Sequence, residues 1–318
     1  MSSEPSAQGG LRPESLHHWI SGLAALVAFL AAVVTSVGIA TAFGHVHRTF
    51  LSLRGETVVI QGGGLYANES ASMAAQGVGM DLVTLLMAVP ILLIATHFAG
   101  KGSVRGHLML VGAFFYFAYS YLVILFGVSY NVFFLPYAAL LSASIAGLVL
   151  SLVSLAERPL DHYVSTHFAR RTIGWALLAV SVMFLVLWLS RIVSALISGK
   201  PPIGLESYTT LSVQAADLSI VIPLSITTSV LLLKHRSLGY VLAAPVLLFQ
   251  ATMGLGLVGM VIAMALMGTA VGVADAIPAV LTAAIGGVMA IHYFASTRAT
   301  PSTPASSAPA SAGRLEMS

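Results

Sequence analysis

Charge is what this chain has least of. Only 8% of its 318 residues are Asp, Glu, Lys or Arg, against 58% hydrophobic residues and a mean hydropathy of +0.94. A soluble domain carries about 25% charged residues. So few charges cannot cover a water-exposed surface of this size, and a soluble globular fold is excluded. Cysteine is absent altogether, which removes disulfides, thiolate nucleophiles, cysteine-ligated zinc or iron–sulfur centres and S-acylation. A formal net charge of +3 is too small to point to nucleic acid. No HExxH, GxSxG or acidic motif of prenyl- or phosphotransfer type is written in the chain, and no cofactor is expected.

What the chain does have is long apolar runs. A helix needs about 20 apolar residues to cross about 30 Å of hydrocarbon. Eight such runs are found, at 19–43, 79–98, 107–128, 131–155, 172–197, 211–233, 238–267 and 276–296. The expected fold is an all-α membrane protein of eight transmembrane helices. With the N-terminus inside, the inner segments hold Arg12, Lys101, Arg105, Arg158, Arg170, Arg171, Lys234, Arg236, Arg298 and Arg314. The outer loops hold Arg48, Arg54 and Lys200, and Arg191 lies within the fifth run. That bias predicts an N-in, C-in topology. A rival reading takes the A-x-A pattern in "ATAFG" (40–44) as a signal cleavage site. The run before it is longer than the 7–15 residues of a signal's apolar core, so the first span is read as retained.

The ends, 1–14 and 297–318, are rich in Ser, Ala and Pro and read as disordered tails. Between them, 15–296 reads as one helical domain. The longest loop, 44–78, lies outside, and its "ETVVIQGGGLYANES" suggests a strand or hairpin arm followed by a glycine turn. Asn68-Glu69-Ser70 matches a glycosylation acceptor, a pattern frequent by chance and given no weight.

One sentence is written twice in this chain. "GMDLVTLLMAVPILLIATHFAGKGSVRG" and "AADLSIVIPLSITTSVLLLKHRSLG" each set an aspartate at the head of an apolar run, then a proline, a basic turn and a new run. Laying Asp81 on Asp217 and Lys101 on Lys234 suggests two parallel four-helix repeats, 15–156 and 168–296. Such repeats are related by an axis along the membrane normal and commonly enclose a shared cavity. The plainer reading is that membrane helices often begin on Asp and end on Lys or Arg.

The polar groups inside the spans gather towards the outer side. At 1.5 Å per residue, Asp217 stands about 25 Å above Lys234 and Asp81 about 30 Å above Lys101. Arg191, on an ascending span, reaches a similar level, and Asn131 opens the fourth span there. Ionisable residues in a span are costly and normally find partners. The functional reading is an outward-facing polar pocket with Arg191 between Asp81 and Asp217. The structural alternative is an aspartate capping a helix start and an arginine snorkelling to the surface. Tyr116 and Gln250, near mid-membrane, are candidate pocket-lining groups because buried hydroxyls and amides need partners. Pro90, Pro136, Pro223 and Pro245 sit inside spans and free the carbonyls four residues back.

His45 and His47 form an H-x-H near the outer end of the first span. They could join Asp81 or Asp217 on a divalent metal, though no metal is assigned on that pattern. His97 and His292 are the one pair placed to face each other as haem ligands. "GLGLVG" (254–259) spells a dinucleotide fingerprint, but inside an apolar span it reads as small residues for helix packing.

"GMDLVTLLMAVPILL", "YFAYSYLVILFGVSYNVFFLPYAALL" and "VQAADLSIVIPLSITTSVLLLKHRSLGYVL" resemble segments of a broad group of bacterial polytopic integral membrane proteins with no assigned activity. The resemblance implies a multi-pass protein of the bacterial cytoplasmic membrane and carries no chemistry with it. The expectation drawn from the residues is a protein that binds or transports a small polar solute or ion from the outer side. The alternatives are a non-catalytic partner or assembly subunit of another membrane protein, and a membrane-embedded enzyme with an outer-face site. The expected partners are the lipid bilayer and that solute or ion, with no nucleic acid.

Overall fold

The computed structural model describes residues 13–156 and 168–297. The expected tail residues 1–12 and 298–318, with Arg12, Arg298 and Arg314, lie outside the described residues, as do Arg158, His162 and His167. Among the described residues eight long apolar helices make up the fold: α1 (Pro13–Ala40), α2 (Ala71–Gly100), α3 (Val104–Gly127), α4 (Phe134–Ala156), α5 (Arg170–Ser198), α6 (Ser212–Leu233), α7 (Ser237–Leu266) and α8 (Val273–Ser296). Each is long and apolar enough to cross a membrane, and the chain is an all-α, multi-pass membrane protein. α1 is one continuous helix whose Ile20, Ala24, Val27 and Ala31 are buried in the bundle. Between α1 and α2 stands a small hairpin of β1 (Arg48–Leu51) and β2 (Thr57–Ile60).

Most helix ends fall close to the expected ones; α1 starts six residues early, and α2 departs most. It begins eight residues before the expected start at 79 because Ser70 caps it, accepting the Met73 N–H at 3.1 Å. The first turns, "ASMAAQGVGM", are small rather than strongly apolar, so a hydropathy reading starts too late. Ser70 is thus a helix cap as well as the third residue of the glycosylation-type triplet.

Two helices carry the same break. Residues Thr84–Ala88 of α2 and Asp217–Val221 of α6 are π-helical. Val89 N–H reaches back to Thr84 O, and Ile222 N–H to Asp217 O. The proline of each helix, Pro90 or Pro223, follows directly. A proline cannot donate and clashes with the carbonyl four residues back, and a wider turn just before it is one way a helix absorbs this. Pro136 acts differently: it lies in the first turn of α4, where no helical hydrogen bond is lost.

The recurrence continues past the break at a constant spacing of 133 residues, read from Thr84 and Asp217. Lys101 and Lys234 end their helices with nearly equal angles, φ −85° and ψ 10° against φ −84° and ψ 8°. Ser103 N–H bonds Phe98 O at 3.1 Å, and Arg236 N–H bonds Leu231 O at 2.9 Å. Gly106 then packs onto Phe98–Ala99 and Gly239 onto Leu231–Leu232, each with no room for a Cβ. At this spacing Asp81 corresponds to Gln214, and Thr84 to Asp217. The pairing of Asp81 with Asp217 drawn from sequence is therefore out of register by about one helical turn.

Packing between the halves follows the same exchange. α3 and α7 cross at the centre, where Gly112 meets Leu248 and Ala244. The outer part of α2 lies on the outer part of α7, with Gly79 against Gly259; the start of α6 lies on the end of α3, with Ser212 against Gly127. The glycines of "GLGLVG" serve packing: Gly254 faces the Thr282–Ala283 backbone, Gly256 faces Met80, and Gly259 faces Gly79. Lys101, Arg105, Arg170, Arg171, Lys234 and Arg236 stand at one end of the bundle, and Arg48, Arg54 and Lys200 at the other. The first end is the inner one by the distribution of positive charge.

Candidate functional site

A cavity of about 460 Å³ lies between the halves, on the outer side of the α3–α7 crossing. Its outer lining includes the exposed Ile203 and Gly204, with Glu206 and Tyr208 beside them. Its deepest lining includes Ser225 of α6 and Gln250 of α7. At 1.5 Å per residue Ser225 is about 13 Å above the inner end of α6, so the cavity reaches towards the middle of the span.

Two carboxylates stand in the wall. Asp81 is buried on α2, and its Oδ2 accepts the Tyr66 phenol at 2.5 Å. The side chain lies against Gly38 of α1, where a Cβ would collide with Oδ2. Burial, with the neighbouring Asp81 carboxyl, pushes the Tyr66 phenol well above its ordinary range, so Tyr66 stays a hydrogen-bond donor. Asp217 opens the π turn of α6. Its Oδ1 accepts Tyr119 Oη–H at 2.5 Å, and its Oδ2 accepts Trp188 Nε1–H at 2.8 Å. Tyr119 comes from the other half of the molecule, and its ring packs edge-on against Phe249 at 4.8 Å between centroids. The π turn gives Asp217 its position, since the extra residue per turn shifts which side chains face the cavity.

Arg191 also lines the cavity, but not between Asp81 and Asp217. Its Nη2 pairs with Asp275 Oδ1 at 2.8 Å, and the guanidinium lies 5.3 Å from the Trp188 ring centroid. Asp275, in the first turn of α8, is closer to Arg191 than the sequence order suggests, because α8 packs beside α5. Gln250 is buried and lines the cavity as expected. Tyr116 does not line it: the hydroxyl is tied to Thr84 Oγ1 at 2.8 Å in the core, at the π turn of α2. Asn131 does not line it either. It lies in the turn before α4, accepting the Phe133 N–H at 2.9 Å, and faces a separate small cleft. The histidines fare similarly. The His45 ring is bonded to Thr41 O at 2.8 Å, and no group of three metal-ligating side chains occurs among the described residues. His292 accepts the Ala169 N–H at 3.4 Å, while His97 packs on Phe98.

Above the cavity the two halves are stitched together by side chains that the sequence reading did not single out. Glu69 is buried and accepts both the Ser129 N–H at 2.7 Å and the Tyr208 phenol at 2.5 Å. Arg54, from the hairpin loop, donates to the carbonyls of Glu206 at 2.6 Å and Tyr208 at 2.9 Å. Burial holds the Glu69 carboxyl above its ordinary value, although its two hydrogen bonds pull the other way. Tyr208 is raised by burial and by the Glu69 charge. The signal for Trp188 was present in the sequence: it stands three residues before Arg191, on the same helical face. Glu69 and Tyr208 sit in loops without periodicity, where nothing marks them.

Comparisons with family models, with curated proteins and with solved structures find no match to this chain.

Proposed function

We propose that this protein binds, and carries, a small solute or ion taken from the outer side of its membrane, using the cavity between its halves. The observation that carries this reading is the cavity itself: about 460 Å³, walled by Asp81 and Asp217 from helices with the same broken backbone. A carboxylate in a low-dielectric wall is costly and is retained where it has work to do. Ligand sites of transporters commonly lie where broken helices of two repeats face each other. We also infer that the 133-residue recurrence reflects an internal duplication and that the membrane is a bacterial cytoplasmic one, the latter in keeping with the family resemblance.

The absence of cysteine makes the test direct. Met253 lines the cavity, so Met253→Cys is the only thiol in that variant. In intact cells or right-side-out vesicles, a membrane-impermeant maleimide added outside should modify Met253→Cys. It should leave Lys234→Cys, at the inner end, unmodified until the membrane is opened. Protection of Met253→Cys from the outside reagent would overturn the reading.

A further inference from the structure

Resting on that reading, we infer that the ligand of this cavity is a monovalent organic cation with an apolar body. The first ground is charge. Among the described residues five carboxyl groups line the cavity, Glu69, Asp81, Glu206, Asp217 and Asp275, against a single guanidinium, Arg191. That guanidinium is engaged by Asp275 and by the Trp188 face, so it offers little to an anion. An anionic ligand would find no free cation here among the described residues and would face the carboxyl oxygens of Asp81, Glu206 and Asp217, which disfavours it.

The second ground is the character of the rest of the wall. Around Asp217 stand the rings of Trp188, Tyr119, Phe184 and Phe249. A cation over such faces gains cation–π attraction, more so when desolvated. Met73, Met80, Met253, Met260 and Met264 also line it, and their polarizable, flexible side chains suit an apolar body of variable shape. A bare metal ion would find no oxygen cage here, since no cluster of three ligating side chains occurs among the described residues.

The third ground is independent of the acids. The hydroxyls of Ser225 and Thr282 have no hydrogen-bond partner among the described residues, at 1% and 3% residue exposure, and both residues line the cavity. Buried polar groups left without a partner are destabilising. Two such hydroxyls beside the cavity can accept from N–H or polarised C–H groups of a ligand whose charge sits at the aromatic wall around Asp217.

The test uses two ions of nearly the same size and shape but opposite charge, tetraphenylphosphonium and tetraphenylborate. Each is titrated onto the full chain in nanodiscs, with empty nanodiscs subtracted. Tetraphenylphosphonium should bind saturably, and tetraphenylborate should show no saturable binding above the lipid. Asp217→Asn should weaken the cation at least tenfold. Should Asp217→Asn fail to fold, the comparison of the two ions on the unaltered chain decides alone. Equal binding of both ions, or preference for the borate, overturns the inference. If Met253→Cys is modified from outside yet the phosphonium does not bind, the outward cavity stands and the cation assignment falls. If the phosphonium binds while Met253→Cys is protected, the cation assignment stands and access from the outer side falls.

Discussion

The two halves of the molecule share a backbone and differ in what they hang on it. In α2 the π turn opens on Thr84, whose hydroxyl meets Tyr116 at 2.8 Å inside the core. In α6 the equivalent position is Asp217, and the equivalent of Tyr116 is Phe249, which has no hydroxyl to offer. Asp217 instead takes its hydrogen bonds from Tyr119 and Trp188, at the cavity wall. One break is sealed by a neutral hydroxyl pair, and the other is opened to a site. One turn above, the roles reverse: Asp81 in α2 corresponds to Gln214 in α6, and both line the cavity. Symmetric scaffolding thus carries an asymmetric set of charges, and the chemistry belongs to the asymmetry.

The comparison is broken most severely where the halves touch. A Cβ at Gly79 would fall against the Gly259–Met260 backbone, whereas at the symmetry-related contact a Cβ at Gly127 meets only the Ser212 side chain. Backbone cannot step aside as a side chain can. Gly79→Ala should cost about 2–3 kcal/mol of stability, at the upper end of overpacking penalties. Gly127→Ala should cost less, and adding Ser212→Gly should return most of the loss. Thermal unfolding of the purified variants, followed by loss of monodisperse protein, reads both. Equal losses at the two positions would mean that the contacts are not related as described.

A middling effect is expected where the halves are joined above the cavity. Glu69 is buried with its carboxyl raised above the ordinary value of 4.5, chiefly by desolvation. Between the unfolded and the raised folded value, the folded state binds more protons, so stability falls as pH rises through that interval. Above the folded value the penalty stays in full, and below the unfolded value it vanishes. Glu69→Gln removes this group from the titration. The variant's midpoint temperature should therefore change less than that of the parent as pH is raised from 4, and the two curves should diverge upward of that point. Parallel curves would show that Glu69 is not the buried acid of this junction.

The spans were legible because a helix crossing hydrocarbon has no way to hide its apolar length. Six of the eight spans agree within three residues at both ends; α1 starts six residues early, and the start of α2 escaped because small residues and Gln76 blur hydropathy while still forming a helix. Asp81, Asp217 and Gln250 were found as cavity residues because a polar group in a span is costly and therefore conspicuous. Tyr116 is misplaced because depth along a helix says nothing about direction around it, and Asn131 because the fourth helix begins only at Phe134, leaving it in the turn before. The π turn then changes that direction by adding a residue where the sequence shows only a proline ahead. Arg191 was assigned the wrong acid because Asp275 is 84 residues away and only the packing of α8 on α5 brings it near.

The smallest effect expected sharpens the comparison at the inner turns. After Lys101 the first half places Gly102 at φ 79°, and after Lys234 the second places His235 at φ 60°. Both residues close the same turn, with Gly102 N–H bonded to Ala99 O at 2.9 Å and His235 N–H to Leu232 O at 3.1 Å. A side chain in this left-handed region crowds its own carbonyl at a cost of about 1–2 kcal/mol, a strain glycine escapes. Glycine gives back part of that gain through its freer unfolded state. His235→Gly should therefore stabilise the protein by about 0.5–1 kcal/mol, and Gly102→His should destabilise it by a similar amount. Midpoint temperatures of the two variants, measured side by side, should move in opposite directions. A loss in both would mean that the His235 ring holds the inner turn through contacts that outweigh its backbone strain, and that the two turns are alike in shape only.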